Sequence, residues 1–262
     1  MKSMFAVCLS LFFLYRSRYY IMQISKQASL IMGLAISDLK VKYAGSYLGF
    51  FWAFAQPMLT TFIYWFVFQI GFKTAPIEDF PFILWLITGL VPWFFFSDAV
   101  TGGTGCMIEY GYLVKKVMFD IDILPMVKII ANILVHMVFI IFVLVFYVLH
   151  GIFLTPYALQ IIYYSFCLLV LVMGIVYITA TVNVFVKDTI QIISVVMQII
   201  FWMTPIVWDM SIMPAEIQKI LEFNPLYYVV SGYRDALINQ VWFWENTEKT
   251  LIFWCIASGL LF

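Results

Sequence analysis

IIANILVHMVFIIFVLVFYVL, residues 129–149, decides the fold class, because it is a long apolar run without a charged side chain. A helix of about 20 mostly apolar residues crosses the hydrocarbon core of a bilayer, which is about 30 Å thick. The rest of the chain has the same character: 65% of its 262 residues are hydrophobic and 11% are charged. A water-soluble domain carries about 25% charged residues. The sequence therefore predicts an all-α integral membrane protein.

Similar apolar stretches lie on both sides of this one, and together they predict six transmembrane helices in a domain of residues 48–262. A stretch qualifies when roughly 17–25 mostly apolar residues follow one another. The sixth is still apolar where the sequence stops at Phe262 and is too short to cross, so we expect the natural chain to continue. The predicted spans are residues 48–72, 81–104, 125–149, 158–186, 188–208 and 249–262.

The positions of the basic residues predict the orientation. With the N-terminus inside, ten of the 14 Lys and Arg residues fall in inner segments and the other four in outer segments. Cytoplasmic loops carry the excess of basic residues, so both termini are predicted to be cytoplasmic. The formal net charge of zero gives no indication of nucleic-acid binding.

Three segments outside the spans have distinct patterns. Residues 1–22 contain a short apolar run followed by basic residues, and we interpret them as an uncleaved, membrane-associated extension. Residues 23–47 show apolar side chains at helical spacing, which predicts an amphipathic helix on the cytoplasmic leaflet; a helix packed on its neighbours is the alternative. Residues 209–248 are interrupted by Asn224-Pro225 and are expected to form a re-entrant or interfacial helical segment at the outer face.

The sequence contains no motif that would carry chemistry. There is no G-x-x-x-x-G-K-[ST] phosphate loop and no H-E-x-x-H motif. The four cysteines form no CxxC pair, so neither a disulfide framework nor a zinc site is indicated. We expect no catalytic residue, cofactor or metal ion on this chain, and an energy-dependent function would need an ATPase on another chain.

Aromatic residues make up 20% of the chain. Rings can stack on the faces of sugars and allow a glycan to slide, whereas other rings form interfacial belts or face lipid. The candidate channel-lining residues are Trp52, Tyr64, Phe68, Phe201 and Trp202.

The predicted cytoplasmic loop at residues 109–122 mixes charged and apolar side chains. A loop surrounded by water would not need so many apolar residues together, so we expect a short helix that docks into a cleft of a partner protein. Its candidate docking residues are Glu109, Leu113, Lys115, Lys116, Phe119, Asp120 and Asp122.

From about Leu30 to the C-terminus, the order of these elements resembles the membrane subunit of ABC-2 type polysaccharide exporters, which move O-antigen, capsule or teichoic-acid polymers across the bacterial plasma membrane. Two positions depart from the family pattern: Asp120 follows Phe119 where proline is usual, and Lys187 stands where arginine is common. The residues that carry the resemblance are DLKVKY at 38–43, GSYLG at 45–49, Trp52, Pro57, Gly89, Trp93, LVKKV at 113–117, Phe119, Leu124-Pro125, Lys187-Asp188, Thr204-Pro205-Ile206, Asn224-Pro225-Leu226 and Arg234.

The resemblance implies a non-catalytic permease subunit that forms a homodimer above two ATP-binding cassette subunits, which bind ATP and Mg²⁺. The 109–122 loop would be the coupling helix, and a polysaccharide linked to polyprenyl pyrophosphate would be the substrate. The outer re-entrant segment would include Asn224, Pro225 and Arg234. The cytoplasmic entrance would be formed by Asp38, Lys40, Lys42, Tyr43 and Gly49, with the two lysines attracting the pyrophosphate.

Three alternatives stay open. An ABC-2 exporter of a drug or a lipid would share the same architecture. An integral-membrane glycosyltransferase or acyltransferase would need a polar catalytic cluster at one interface. A passive channel would conduct without nucleotide.

Overall fold

The computed structural model describes residues 28–73, 80–111 and 121–261. Within these ranges the chain is helical, with short turns and no β-strand. The helices are α1 (28–42), α2 (Gly49–Gly71), α3 (Phe82–Glu109), α4 (Ile123–Leu149), α5 (Pro156–Phe185), α6 (Thr189–Met203), α7 (Ala215–Glu222), α8 (Pro225–Arg234) and α9 (Thr247–Leu261).

Four of the described helices, α2 to α5, are long and apolar enough to cross a membrane, with 23, 28, 27 and 30 residues. This confirms the predicted all-helical membrane class. Helix α6 has 15 residues and is apolar, but it extends over only about 22 Å at 1.5 Å per residue. The predicted fifth span, 188–208, therefore contains a helix that is shorter than the hydrocarbon core.

Helix α3 is the centre of the bundle. It packs against α2, α4, α5, α6 and α8, and 78% of its most apolar stretch is buried, against 11% for α2. Gly103 allows α3 to approach α5 closely, because a Cβ at this position would lie 2.5 Å from Val176 Cγ1. A helix that is apolar on all sides belongs in the interior, and α3 follows this rule.

Prolines and one asparagine set several helix ends. Pro156 occupies the first turn of α5, where the missing N–H costs nothing. Thr204 is extended, with φ −96° and ψ 130°, because the residue before Pro205 avoids the helical region. Helix α6 therefore stops at Met203. Asn224 caps α8, since its side chain accepts a hydrogen bond from the Leu226 N–H.

Helix α1 lies against α4. Ala35 is fully buried against Val127 and Ala131, whereas Met32 and Ile36 are exposed. This contact agrees with the alternative interpretation, a helix packed on its neighbour. Contact of the exposed apolar side chains of α1 with the cytoplasmic leaflet stays a prediction.

Candidate functional site

A groove bounded by α2, α3 and α6 is the first candidate site, with a cavity volume of about 740 Å³. Three rings meet in it: the Phe201 ring stacks on Tyr64 at 5.4 Å and lies 5.1 Å from the ring of Trp93. Hydroxyl and amide side chains alternate with these rings along the walls. The polar lining residues are Thr60, Ser97, Thr101, Ser194 and Gln198.

The structure places three of the five candidate channel-lining residues on this groove, namely Tyr64, Phe201 and Trp202. The other two lie elsewhere. Trp52 begins the α-helical part of α2 and is 44% exposed, and the Phe68 ring packs on Phe72 and Phe82.

Residues of α3 that were not selected as channel-lining also reach the groove. Trp93, Ser97 and Thr101 follow one another at intervals of four, which places them on one face of a helix. This spacing is visible in the sequence and could have identified them.

A second feature, the Lys128 cluster, consists of Asp38, Glu109, Tyr110 and Lys128. The Lys128 ammonium lies 2.7 Å from the Asp38 carboxylate and 2.9 Å from that of Glu109. Tyr110 donates its hydroxyl to Asp38. The side chains of Lys128 and Asp38 are 10% and 7% exposed, whereas that of Glu109 is 55% exposed. The cluster is thus a largely buried ion pair with one carboxylate facing outward.

The Lys128 cluster joins α1 to the two helices that flank the 109–122 loop. Of the candidate docking residues, Glu109 belongs to the cluster, and the Asp122 carbonyl accepts a hydrogen bond from the Tyr177 hydroxyl at 2.9 Å. Residues 112–120 lie outside the described ranges, and with them Leu113, Lys115, Lys116, Phe119 and Asp120.

The remaining entrance residues lie on a more open surface near the end of α1. Lys42 is 3.8 Å from Asp98, and both side chains are about half exposed. The Tyr43 ring packs edge-on against Phe50 at 5.8 Å, and Lys40 is exposed. Gly49 adopts a positive φ of 51° at the start of α2, a conformation that favours glycine.

The third feature, the Arg234 cluster, consists of Trp85, Gly89, residues 204–206, Asn224 and Arg234. The guanidinium donates to the carbonyls of Pro205 and Ile206, both at 2.7 Å, and lies 3.5 Å from the centre of the Trp85 ring. Arg234 is 8% exposed. Burial lowers the pKa of this guanidinium to about 9, so it is still protonated at neutral pH.

The Arg234 cluster brings together motif residues that are far apart in the sequence. Asn224 donates to the Thr204 hydroxyl at 2.8 Å, which ties the cap of α8 to the end of α6. Pro225 occupies the first turn of α8. Gly89 leaves room for Arg234, because a Cβ there would lie 2.7 Å from its Nη2. Neither the Lys128 pairing nor these contacts leave a periodic signal in the sequence.

Comparison with known proteins agrees with this architecture. Among curated proteins, an O-antigen export system permease protein RfbA of Klebsiella pneumoniae is 27% identical over 213 residues, which covers 80% of each chain. The RfbA of Myxococcus xanthus is 28% identical over 207 residues, or 78% of each chain. The polysialic acid transport protein KpsM of Escherichia coli is 22% identical over 225 residues, or 85% of this chain and 84% of the other.

The family model described as ABC-2 type transporter matches residues 29–238. This range includes helices α2 to α8, the groove and both polar clusters. The chain belongs to the ABC-2 type transporter family.

Proposed function

We propose that this chain is the transmembrane, non-catalytic subunit of an ATP-driven exporter that moves a cell-envelope polysaccharide across the bacterial plasma membrane. Membership of an ABC transporter family implies an ATP-binding partner, on which ATP is used. The similar proteins are named for the export of O-antigen and the transport of polysialic acid, both of which are glycans. The observation that carries the proposal is the mixed aromatic and hydroxyl lining of the groove.

The lining of the groove suits a polyhydroxylated chain. Sugars present C–H faces that pack on aromatic rings, and hydroxyls that exchange hydrogen bonds with Ser97, Thr101 and Gln198. The volume of about 740 Å³ lies within the range of roughly 300–1,000 Å³ that ligand sites occupy. None of the lining side chains among the described residues is charged, so a neutral segment can move along the groove without breaking an ion pair.

A second copy of the chain would complete the channel. Helices α2 and α6, which form two walls of the groove, leave large apolar side chains uncovered, among them Phe62, Phe66, Ile199 and Trp202. An uncovered apolar surface of this kind marks an interaction site for protein or lipid. We infer a homodimer in which two grooves face each other, with α6 and α9 as the fifth and sixth spans and residues 209–248 as the re-entrant outer segment.

The 109–122 loop is proposed to couple conformational changes of the ATPase to the membrane helices. Because Glu109 is paired with Lys128, and Lys128 with Asp38, a force applied to the loop reaches α1 and α4 through side-chain contacts. The exposed Lys40 and Lys42 would attract the pyrophosphate of a polyprenyl-linked substrate at the cytoplasmic entrance. In this arrangement both termini face the cytoplasm.

The proposal is tested by deleting the gene and restoring it with variants, while surface glycan and ATPase activity of the purified complex are measured. Deletion is expected to abolish surface glycan. Tyr64→Ala combined with Phe201→Ala is expected to reduce export at least fivefold and to leave basal ATP hydrolysis unchanged. The matched control is Phe153→Ala, because this ring is 85% exposed in the turn between α4 and α5.

The coupling role has its own test. Charge reversal at Lys115 and Lys116, or Phe119→Asp, is expected to separate ATP hydrolysis from export. Unchanged export in both variants would remove the loop from the mechanism. Normal surface glycan in the deletion strain would overturn the polysaccharide assignment in favour of a drug or lipid exporter.

A further inference from the structure

A second, more enclosed cavity of about 200 Å³ lies beside the Arg234 cluster. Its walls come from α3, α5 and α8, the short helical segment Asp235–Asn239 after α8, the start of α9 and the segment that follows α6. Trp85 in this wall is 24 residues before Glu109 on α3, or about 36 Å along the helix axis. The cavity is therefore remote from the 109–122 loop and lies at the opposite end of the bundle.

We propose that this cavity is a carbohydrate site that holds one sugar residue of the exported polymer. The inference rests on the proposed function and adds a binding site outside the groove. It is carried by three properties of the cavity: its mixture of charges, its wall of amides and an aromatic ring, and its position relative to the groove.

Charges of both signs surround the cavity. Asp209 and Asp235 supply two carboxylates, and Arg234 and Lys249 supply two cations, of which Lys249 is also paired with Glu222 outside the cavity at 2.9 Å. The two carboxylates would repel an anion such as phosphate, and the two cations would repel a metal ion. No group of three or more acidic, histidine or cysteine side chains able to hold a metal occurs among the described residues. A neutral ligand rich in hydroxyl groups fits this mixture of donors and acceptors best.

Side-chain amides and an aromatic ring line the cavity together. Asn239 and Asn246 are exposed and line the cavity, and the half-buried Tyr227 adds an aromatic ring to the same wall. A bound sugar would exchange hydrogen bonds with the two amides, and its C–H face would pack on the ring. Arg234 is held by the carbonyls of Pro205 and Ile206 and supplies a positive charge to the wall.

The cavity also lies next to the end of the groove. Met203 lines the groove, and Pro205 and Asp209, which follow it closely in the sequence, line the cavity. Helix α3 contributes to both walls through Trp93 and Trp85, which are eight residues or about 12 Å apart along the axis. A polymer that leaves the groove at this end passes the cavity within the length of a few sugar units.

The test uses the purified complex with its ATPase in nanodiscs. The probe is a set of short oligosaccharides released by mild acid from the surface glycan of the host strain. Saturation-transfer NMR measures their binding to the wild-type complex and to the double variant Asn239→Ala, Asn246→Ala. Both asparagines line the cavity and are exposed, so the fold does not depend on them. The control is Glu216→Ala with Lys219→Ala, on the exposed helix α7 outside the cavity.

The double variant is expected to bind the oligosaccharides at least fivefold more weakly, the factor for about 1 kcal/mol from one lost hydrogen bond, while the control binds as wild type. Equal binding by the double variant and the wild type, or no saturation transfer to the wild type, would overturn the cavity as a sugar site. In that case normal glycan export by the same strain would leave the proposed function intact. Surface glycan that persists after gene deletion would instead remove the proposed function, and this inference with it.

Discussion

The Lys128 cluster and the Arg234 cluster each bury one cation, but they satisfy it with different partners. Lys128 is held by two carboxylates, one of which is on α1 and the other largely exposed. Arg234 is held by two backbone carbonyls and the face of a tryptophan ring. Carboxylates move with their side chains and can change partner, whereas the carbonyls of residues 205 and 206 are fixed by the backbone.

This difference suits the two ends to different tasks. In the proposed coupling role of the 109–122 loop, the opposite side-chain charges on α1, α3 and α4 can rearrange their ion pairs. A cation bound to backbone holds α8 against the end of α6 in one geometry. The two clusters should also respond differently to mutation. Removing Lys128 leaves a buried carboxylate without its partner, which is costly, and neutralising that carboxylate should recover part of the lost stability.

The largest effect is expected at Arg234. Arg234→Ala removes two charge-assisted hydrogen bonds, each worth roughly 1.5–3 kcal/mol, so stability should fall by about 4 kcal/mol. The apparent Tm of the purified complex in detergent should then fall by about 10 °C. The Tm of Arg234→Lys should lie between those of the wild type and Arg234→Ala, since lysine keeps the charge but lacks the planar fork of the guanidinium. A wild-type Tm for Arg234→Ala would show that the cluster does not hold α8.

The second-largest loss of stability is expected at Lys128, and a second substitution should restore part of it. Lys128→Met leaves the Asp38 charge buried without its ammonium partner, at a cost of about 3 kcal/mol. Adding Asp38→Asn should restore at least 1 kcal/mol of this loss, measured by thermal unfolding as a double-mutant cycle.

The Arg234 cluster provides the contrast for that cycle. Adding Asp235→Asn to Arg234→Ala should restore less stability than Asp38→Asn restores at Lys128, because the hydrogen bonds lost with Arg234 were accepted by neutral carbonyls. A rescue at Arg234 as large as that at Lys128, or no rescue at Lys128, would break the distinction between the two clusters.

A smaller effect is expected at Gly89. Gly89→Ala places a Cβ 2.7 Å from Arg234 Nη2 and 3.2 Å from the Ile206 carbonyl oxygen, so the guanidinium has to move. Crowding of this kind costs roughly 1–3 kcal/mol. Gly102 on the same helix is the matched control, since nothing lies within 4 Å of its added Cβ. Gly102→Ala should be neutral or stabilising by up to about 1 kcal/mol in the same unfolding assay.

The smallest effect is expected at the exposed pair. Lys42 and Asp98 are 3.8 Å apart and 46% and 59% exposed, so water screens their attraction. Lys42→Ala should change stability by less than about 0.5 kcal/mol. A loss comparable to that of Lys128→Met would mean that this pair is covered in the assembled complex.

The sequence predicted the membrane class and the approximate positions of the long helices, because composition and run length are local properties. It ended the second span at 104, whereas α3 continues to Glu109. The glycine- and threonine-rich stretch TGGTG at 101–105 lies at this boundary, and it packs closely, as at Gly103 against Val176, although its composition is not strongly apolar. For the predicted fifth span, apolar composition continues past Pro205, but the helix does not.

The candidate sites could be predicted only in part. Tyr64, Phe201 and Trp202 share the groove, but Trp52 and Phe68 do not line it, because helices that are apolar on all sides do not show in their sequence which face is turned inward. Arg234 was predicted as part of the outer re-entrant segment, and Lys128 only as one of the inner basic residues; the partners of neither were predicted. The partners of Arg234 are 28 and 29 residues away, and those of Lys128 are 19 and 90 residues away; contacts at such separations leave no local pattern.

The Arg234 cluster also imposes an order on biosynthesis. The carbonyls of Pro205 and Ile206 emerge from the ribosome 28 to 29 residues before the arginine that satisfies them. Lipid offers no donor to a bare carbonyl, so water must solvate this segment until α8 has been made. Docking of α8 is therefore a late step of assembly. A nascent chain arrested before residue 225 should leave a cysteine introduced at position 206 open to a water-soluble thiol reagent, and the complete chain should protect it.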